Sequence, residues 1–282
     1  MKRHKICKII FAILAVFLCV AFYELIGICI TYKKQPAVSD ATIKETQNIM
    51  SVAGRENTER AVIIEKNSQA LLERVRLIQN AKDEIILSTF AFKSDESGKL
   101  ILGALHDAAD RGVHVRILVD GMESWIDMEG NPYFYGLSSH ENVEIKLYNK
   151  ANPLKPWKTM GRMHDKYLIA DGKIYILGGR NTYNYFLGDF PGHKNFDRDV
   201  LVVCDEPQKD NSVNQLWDYF ETIWEQEDCR YFHNSKKLAD RQSVKKAVLE
   251  LQEGYQQYFE VNKEKICDTD YEDETFETEK IT

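Results

Sequence analysis

The chain has 282 residues and enough apolar side chains for a packed core, so it can hold one large domain or two small ones. Its formal net charge of -7 argues against a general nucleic-acid binder with a broad basic face, although it leaves room for a local basic pocket. The six cysteines are widely spaced and form no C-x-x-C pair, so the sequence indicates neither a zinc site nor a redox motif.

The chain begins with a long apolar run, IIFAILAVFLCVAFYELIGICITY, that is typical of a membrane-spanning helix. A span needs about 20 mostly apolar residues, and we predict a transmembrane anchor at residues 6–32. Four basic side chains precede the run and two follow it, which favours a single-pass protein of the cell membrane with a cytoplasmic N-terminus and the remaining domain outside. The alternative is a cleaved signal peptide, but the run is longer than a signal core and no clear cleavage site follows it.

Beyond the anchor, residues 33–60 are polar and are interpreted as a linker. Helical and strand patterns then alternate, which predicts an α/β layered domain over residues 61–262, with a mixed β-sheet flanked by helices. Residues 263–282 are rich in Asp and Glu without a core pattern, so we expect a disordered acidic tail. The predicted helices are 67–82, 97–112, 212–226 and 243–261, and the predicted strands are 83–92, 113–121, 142–149, 162–171, 173–179 and 199–204.

The most informative stretch is RMHDKYLIADGKIYILGGRN, which reads as two strands joined by a tight turn at Asp171. Since alternate residues of a strand share a face, His164 and Lys166 are expected to point the same way. An imidazole beside an ammonium is unfavourable unless both meet an anion, and a phosphate fits that requirement. Lysine supplies a point charge for it, and a neutral imidazole can attack phosphorus.

The residues that follow suit the same ligand. Gly178 and Gly179 let the backbone approach a bound group closely, and the Asn181 amide can donate to a phosphoryl oxygen. Simpler interpretations exist for each of these positions. The two glycines could simply end a strand, and an Asp-Gly hairpin at Asp171 needs no catalytic role.

The spacing of these residues resembles the signature of the phospholipase D superfamily, H-x-K-x4-D-x6-G-G/S-x-N. The matching positions are His164, Lys166, Asp171, Gly178, Gly179 and Asn181. The surrounding segments RGVHVRILVDG, NVEIKLYN, GGRNTYNYF and NFDRDVLVV, together with the anchor, resemble the bacterial cardiolipin synthase-like branch. The resemblance covers residues 65 to 230 and implies a phospholipase D-like domain.

The resemblance also implies roles for individual residues. His164 would be the nucleophile that forms a phosphohistidine intermediate, and Lys166 and Asn181 would hold the non-bridging phosphate oxygens, with Gly178 and Gly179 lining the phosphate site. No metal ion and no organic cofactor is required.

Carboxylates would support this chemistry. Asp171 would fix the local ionic geometry, or would be purely structural. In the family an acidic residue downstream usually orients the nucleophilic histidine, which fixes its tautomer and stabilises the imidazolium. The stretch FDRDV offers Asp197 and Asp199 for this task, and we favour Asp199 because it immediately precedes an apolar strand.

The family mechanism uses two such motifs, because a second histidine protonates the leaving alcohol and then activates the acceptor. None of the other histidines considered begins a second motif. His114 has Arg116 in place of the lysine and its aspartate one position early, and His193 lacks the spacing. His233 has Asp240 at the right distance, but Ser235 replaces the lysine and no Gly-Gly-x-Asn follows. The second motif could come from a homodimer partner. It could also come from a missing C-terminal half of a longer protein, and we lean slightly toward that explanation.

Three functions therefore remain open. The first is a membrane-anchored phosphatidyltransferase or phospholipase acting on a phospholipid such as phosphatidylglycerol. The second is a single-motif phosphodiesterase of the nuclease type, against which the net charge and the anchor weigh, so no nucleic-acid partner is expected. The third is a catalytically incomplete half that acts as a partner domain.

Overall fold

The computed structural model describes residues 2–33, 39–41, 43–44, 59–150, 152, 154–204, 211–233 and 235–277. The chain divides into two compact units. The first combines Met1–Glu56 with Ala151–Gly161, and the second combines Asn57–Lys150 with Arg162–Thr282. The second unit therefore carries the H-x-K motif.

The first unit is built on one long helix, α1 (Lys2–Lys33). Eighteen consecutive residues within its stretch His4–Thr31 have a mean hydropathy of 2.7 and an exposed apolar surface, so α1 is long and apolar enough to cross a membrane. The unit also contains a short 3-10 helix, Pro156–Met160, whose Trp157 ring packs on Tyr23 of α1. The segment predicted to be an anchor lies within α1.

The second unit is built around one mixed β-sheet. Its strands are β1 (Glu59–Ile64), β2 (Glu84–Thr89), β3 (His114–Asp120), β4 (Val143–Tyr148), β5 (Lys166–Ala170), β6 (Ile174–Gly178), β7 (Asp199–Cys204), β8 (Cys229–Tyr231) and β9 (Phe276–Glu277). Among the described residues the sheet has nine strands in the order β8-β4-β3-β2-β5-β6-β7-β1-β9. Strands β2, β3 and β4 run parallel to one another, and the other neighbouring pairs are antiparallel.

Helices cover both faces of the sheet. They are α2 (Asn67–Asn80), α3 (Glu96–Asp110), α4 (Gly121–Asp127), α5 (Pro132–Ser138), α6 (Ser212–Trp224), α7 (Lys236–Ala239) and α8 (Gln242–Cys267). The larger apolar core packs α2, α3, α5 and α8 against one face, and a second core packs α6 against the other. The predicted α/β domain, a mixed sheet flanked by helices, is therefore confirmed.

Strand β5 occupies a central position, paired antiparallel with both β2 and β6. Its side chains alternate between the two cores, as the two-residue period of a strand requires. Leu168 faces the larger core, while Tyr167 and Ile169 face the second core. The register pairs Lys166 with Thr89, so the beginning of β5 meets the end of β2.

The sheet begins earlier in the chain than predicted. Strand β1 pairs with β7 from Glu59 onward, so its first two residues fall within the stretch 33–60 that was interpreted as a linker. The pairing partner is more than a hundred residues away in the sequence, and local composition gives no sign of it. Most of the remaining stretch, residues 34–38, 42 and 45–58, lies outside the described residues.

The expectation of a disordered tail over 263–282 is wrong for residues 263–277. Helix α8 continues to Cys267, and β9 then adds an edge strand to β1 through the pair Ala61 and Phe276. Residues 278–282 lie outside the described part of the chain.

One buried cation explains why so acidic a segment is ordered. The guanidinium of Arg76 donates to the carbonyl oxygens of Asp268 at 2.7 Å and Asp270 at 2.8 Å. It also pairs with the Glu274 carboxylate at 3.0 Å, and its charge lies 3.8 Å from the centre of the Tyr271 ring. A buried arginine must be paired and hydrogen-bonded to offset its desolvation, and the acidic segment supplies those partners.

We therefore expect a chain that ends at Cys267 to be less stable than the full chain. The truncation removes most partners of the buried Arg76, and hydrogen bonds to a charged group contribute about 1.5–3 kcal/mol each, so the urea midpoint should fall clearly. The midpoint is measured by tryptophan fluorescence in detergent micelles. A chain that ends at Glu277 serves as the control, and equal midpoints for the two truncations would contradict the assignment.

Candidate active site

The motif histidine and lysine lie where β5 begins. Lys166 is the first residue of the strand, and His164 precedes it in extended chain, because the pairing of β5 with β2 ends at Lys166. The His164 side chain is exposed, whereas Lys166 is only 5% exposed. The Lys166 ammonium donates to Nδ1 of His164 at 3.1 Å and to its backbone carbonyl at 2.6 Å. The two side chains therefore meet, as their spacing predicts.

Burial disfavours the charged ammonium form of Lys166 relative to the neutral amine. Its pKa is lowered mainly because the charged group loses water, while the nearby Asp165 and Asp197 carboxylates partly oppose this shift. A cation that is incompletely balanced in a desolvated position attracts a ligand anion strongly. The electrostatics of this position therefore suit the phosphate expected there.

Phe90 is a central residue of the site that the sequence did not reveal. Its ring lies 4.5 Å from the His164 ring, measured between centroids, with a tilt of 57°. The same ring lies 5.4 Å from the Lys166 ammonium and 4.8 Å from the Arg162 guanidinium. Phe90 directly follows β2, so only the register of β2 against β5 brings it here. It gives the histidine a flat apolar wall and gives both cations a π-face.

The residues before His164 are held by a buried carboxylate at the end of β3. Asp120 caps α4 through the backbone N–H groups of Met122 and Glu123. It also accepts from the Arg162 side chain at 2.8 Å and from the backbone N–H of Met163 at 3.1 Å. One carboxylate thus fixes both the start of a helix and the chain immediately before the histidine. The sequence indicated only that Asp120 ends a strand.

Asn181 is oriented by a backbone donor. Its Oδ1 accepts from the N–H of Ala91 at 3.1 Å, so its amide NH₂ is the end that can donate to a phosphoryl oxygen. The preceding glycines are required by close packing rather than by turn geometry. A Cβ on Gly178 would collide with Asp199, and a Cβ on Gly179 would collide with the Asp197 carboxylate.

Asp199, the residue favoured to orient His164, makes other contacts. It is buried in an ion cluster with Arg74 at 2.9 Å and Arg180 at 3.3 Å. Asp197 is the better-placed carboxylate, because it packs on Gly179 and acts electrostatically on Lys166. The adjacent Asp165 lies on the opposite side of the strand, where its carboxylate accepts from Tyr219 at 2.8 Å.

Asp171 lies at the far end of β5. Its carboxylate accepts three backbone N–H groups, those of Lys82 at 2.9 Å, Asp83 at 2.8 Å and Glu84 at 3.0 Å. Its φ of 52° places it in the left-handed region, which Asp tolerates in turns. His164 is seven positions earlier in the chain, which corresponds to about 23 Å in an extended strand. These contacts tie the β5–β6 turn to the beginning of β2.

The other histidines considered for a second motif lie with different partners. His114 contacts the carboxylates of Glu84 and Glu144, and His233 contacts Glu129 at 2.6 Å. His193 contacts Asn195 at 2.9 Å. Within the described ranges, no group of three or more His, Cys, Asp or Glu side chains is arranged to hold a metal ion. These three histidines, all within the described ranges, therefore have partners outside the H-x-K motif.

The fold and this site define a phospholipase D-like domain, and comparison with protein families agrees. Residues 75–224 match the family described as cardiolipin synthase, PLD-like domain. This match spans more than half of the 282 residues, and the chain belongs to that family. The resemblance to the phospholipase D superfamily is thereby confirmed.

Individual relatives share parts of the chain. An uncharacterized protein of Helicobacter pylori (strain ATCC 700392 / 26695) is 33% identical over 181 residues, which is 59% of this chain and 35% of that protein. Cardiolipin synthase C of Escherichia coli (strain K12) is 29% identical over 154 residues, which is 50% of this chain and 31% of the relative. The chain thus spans about a third of the length of the curated relatives it matches.

A solved structure has the same fold. The phosphatidylserine synthase of Haemophilus influenzae Rd KW20 superposes with a TM-score of 0.51 at 14% identity, covering 77% of this chain and 48% of that one. The similarity concerns the arrangement of strands and helices.

The contacts of Asp171 predict a structural role. We expect Asp171→Ala to lower the free energy of unfolding by about 1–3 kcal/mol, because three backbone donors lose their acceptor. Any phosphodiesterase activity of the variant, measured at a temperature where it is fully folded, should stay close to that of the unmodified chain. Asp83→Ala, at an exposed neighbouring position, is the matched control. A large fall in kcat without a change in stability would instead support a catalytic role.

Proposed function

We propose that this protein is a membrane-anchored phosphodiesterase or phosphatidyltransferase that acts on a glycerophospholipid such as phosphatidylglycerol. The observation that carries the proposal is the contact between the exposed His164 ring and the buried Lys166 ammonium in a chain of the cardiolipin synthase PLD-like family, whose motif also includes an Asn181 amide oriented by Ala91. The apolar helix α1 supports a location at the membrane, where the substrate is found. The N-terminus would be cytoplasmic and the domain outside, since basic residues are more numerous before the span.

The proposed reaction has two displacements at phosphorus. Nε2 of His164 uses its lone pair to form an N–P bond, and the bond from phosphorus to the leaving alcohol oxygen breaks. A water or an acceptor alcohol then attacks the phosphohistidine and gives its proton to the group that had protonated the leaving alcohol, and the N–P bond returns its electron pair to the ring. Lys166 and the Asn181 amide bind non-bridging oxygens and stabilise the charge that develops on them. Water as acceptor gives hydrolysis, and an alcohol gives transfer.

The tautomer of His164 links phosphate binding to attack. In the structure Lys166 donates to Nδ1, so a neutral ring carries its proton on Nε2 and cannot attack with that nitrogen. A bound phosphate competes for the ammonium and releases Nδ1. Nδ1 can then carry the proton while Nε2 becomes the nucleophile. We propose that Asp197, rather than Asp199, is the carboxylate that stabilises this second tautomer.

The leaving alcohol needs a proton that the bound His164 cannot supply. We propose that a second H-x-K motif supplies it, from a second copy of this chain or from a further segment of a longer protein. The chain spans only about a third of the length of its curated relatives, which supports a further segment of a longer protein as the source. Short members of the superfamily pair across a twofold axis, which supports a second copy of this chain. In the first case, specific activity should rise with protein concentration as dimers form.

The primary test is product formation from phosphatidylglycerol by the purified full-length chain. We expect cardiolipin, phosphatidic acid or glycerol to form, and His164→Ala to reduce the rate by more than about 1000-fold, as loss of a covalent nucleophile does in other enzymes. His233→Ala is the matched control, because that histidine lies with Glu129 outside the motif. Equal product from the unmodified chain and His164→Ala would refute the proposal.

The same product-formation assay distinguishes the roles of Asp197 and Asp199. Asp197→Asn should fold normally and lose activity, because the variant lacks the negative charge that lies beside Gly179 and acts on Lys166. Asp199→Asn should lose stability first, because the buried Arg74 and Arg180 would lack their counter-charge. Circular dichroism and urea unfolding distinguish these two failures.

The lowered pKa of Lys166 predicts a pH dependence. The ammonium binds phosphate only below its pKa, and burial shifts that pKa below the usual lysine value of about 10.4. KM for the phospholipid should therefore begin to increase at a lower pH than it would with a lysine of ordinary pKa. Lys166→Arg keeps its charge across this range and should abolish the alkaline rise in KM. If KM for the phospholipid still rises at alkaline pH in Lys166→Arg, a group other than Lys166 is responsible for the rise.

A further inference from the structure

The 3-10 helix of the first unit packs closely on α1. The Trp157 ring meets the Tyr23 ring edge-on, with 4.9 Å between centroids and an interplanar angle of 69°. Gly27 makes room for the indole, because a Cβ there would collide with the ring. The Tyr23 hydroxyl also donates to the Leu154 carbonyl at 2.8 Å. Both a ring contact and a hydrogen bond thus fix Leu154–Gly161, hereafter the Trp157 segment, on the helix.

The position of this contact along α1 sets its depth in a bilayer. Gly27 lies four residues before Thr31, where the candidate span ends. At 1.5 Å per residue it is about 14 Å from the middle of the span, and the hydrocarbon core has a half-thickness of about 15 Å. Tyr23, the other contact of the indole, lies four residues nearer the middle, so Trp157 falls in the outer part of the hydrocarbon beside the headgroups, the region where Trp and Tyr side chains are enriched.

The exposed side chains of the Trp157 segment suit that region. Leu154 is 77% exposed and Met160 is 72% exposed. In a 3-10 helix, residues three apart lie on the same side, so Met160 follows Trp157 along one face. Large apolar side chains on an exposed segment that is fixed to an apolar helix are expected to contact lipid.

The charge of the segment selects the kind of lipid. The Trp157 segment contains two basic side chains, Lys155 and Lys158, and no acidic one, in a chain whose net charge is -7. Basic residues near a membrane surface are attracted to anionic headgroups. Apolar side chains flanked by lysines are typical of segments that lie in the membrane interface.

We propose that the Trp157 segment is an interfacial membrane-binding site for anionic phospholipid headgroups. It inserts Trp157 and Met160 at the edge of the hydrocarbon and holds headgroups through Lys155 and Lys158. In the sequence Gly161 is followed within three residues by His164, so the segment that gathers anionic lipid leads directly into the motif. The inference rests on the proposed membrane location of α1 and does not depend on the chemistry at His164.

The first test measures the depth of Trp157. The full chain is reconstituted in vesicles of phosphatidylcholine and phosphatidylglycerol that contain lipid brominated near the headgroup end of its acyl chain. Bromine quenches nearby indoles, so we expect Trp157→Phe to remove most of the shallow quenching. Trp217→Phe, at a residue packed beside the second core, is the control and should preserve it. Equal quenching in Trp157→Phe and the unmodified chain would overturn the proposal.

The second test addresses headgroup charge. We expect quenching to increase when phosphatidylglycerol replaces part of the phosphatidylcholine, and the paired change Lys155→Gln and Lys158→Gln to reduce this increase about fivefold or more. The paired change Lys245→Gln and Lys246→Gln on α8 removes the same charge elsewhere and should have no such effect. Equal responses of the two paired variants would overturn the preference for anionic lipid.

A second copy of the chain is the competing occupant of the same surface. In that case Leu154→Ser with Met160→Ser would convert dimers to monomers in analytical ultracentrifugation, and quenching by brominated lipid would be absent from the unmodified chain. His164→Ala separates this inference from the proposed reaction. It should abolish product formation while leaving every quenching signal unchanged.

Discussion

The candidate site depends on a buried ion cluster around Asp199 that includes Arg180, the neighbour of Gly179 and Asn181 in the motif. Asp199 at the start of β7 pairs with Arg74 of α2 and with Arg180, which stands between the two glycines and Asn181. Two arginines and one carboxylate are costly to bury, and the cost is offset only when the remaining donors are satisfied. Arg180, only 1% exposed, meets this condition by also donating to the carbonyls of Ile64 and Glu65. The backbone that presents Asn181 is thereby fixed to β1, α2 and β7 together.

The carboxylates around the motif have distinct structural tasks, although several are similar in sequence. Asp120 fixes the chain before His164, Asp171 fixes the far turn, and Asp199 balances buried arginines. Only Asp197 combines partial exposure with a position beside Gly179 and an electrostatic effect on Lys166. Burial and hydrogen-bond partners, rather than distance from the strand in sequence, therefore separate the structural aspartates from the one suited to chemistry.

Local patterns were sufficient for the main elements and for the meeting of His164 with Lys166, because both depend on residues close in sequence. The partners of Asp199 and the place of Phe90 were not predictable in this way. Phe90 reaches the histidine through the pairing of Thr89 with Lys166, a register that no local pattern encodes. The acidic tail was misjudged for the same reason. Its order depends on Arg76, nearly two hundred residues earlier, and charge density alone indicates solvation.

Under the proposed mechanism, the chemistry of the described groups also explains why a second motif is invoked. Once Nε2 of His164 is bonded to phosphorus, the ring has no lone pair or proton on that nitrogen to offer the departing alkoxide. Lys166 carries protons nearby, and its lowered pKa makes it a better donor than an ordinary lysine. Yet its loss of a proton would remove the charge that binds the phosphate at the moment when negative charge is developing. Arg162 retains its protons at any working pH and is already bound to Asp120 and Glu123. In that mechanism a separate acid is needed on the leaving-group side, and a second histidine in its protonated form would meet that need without weakening the first phosphate site.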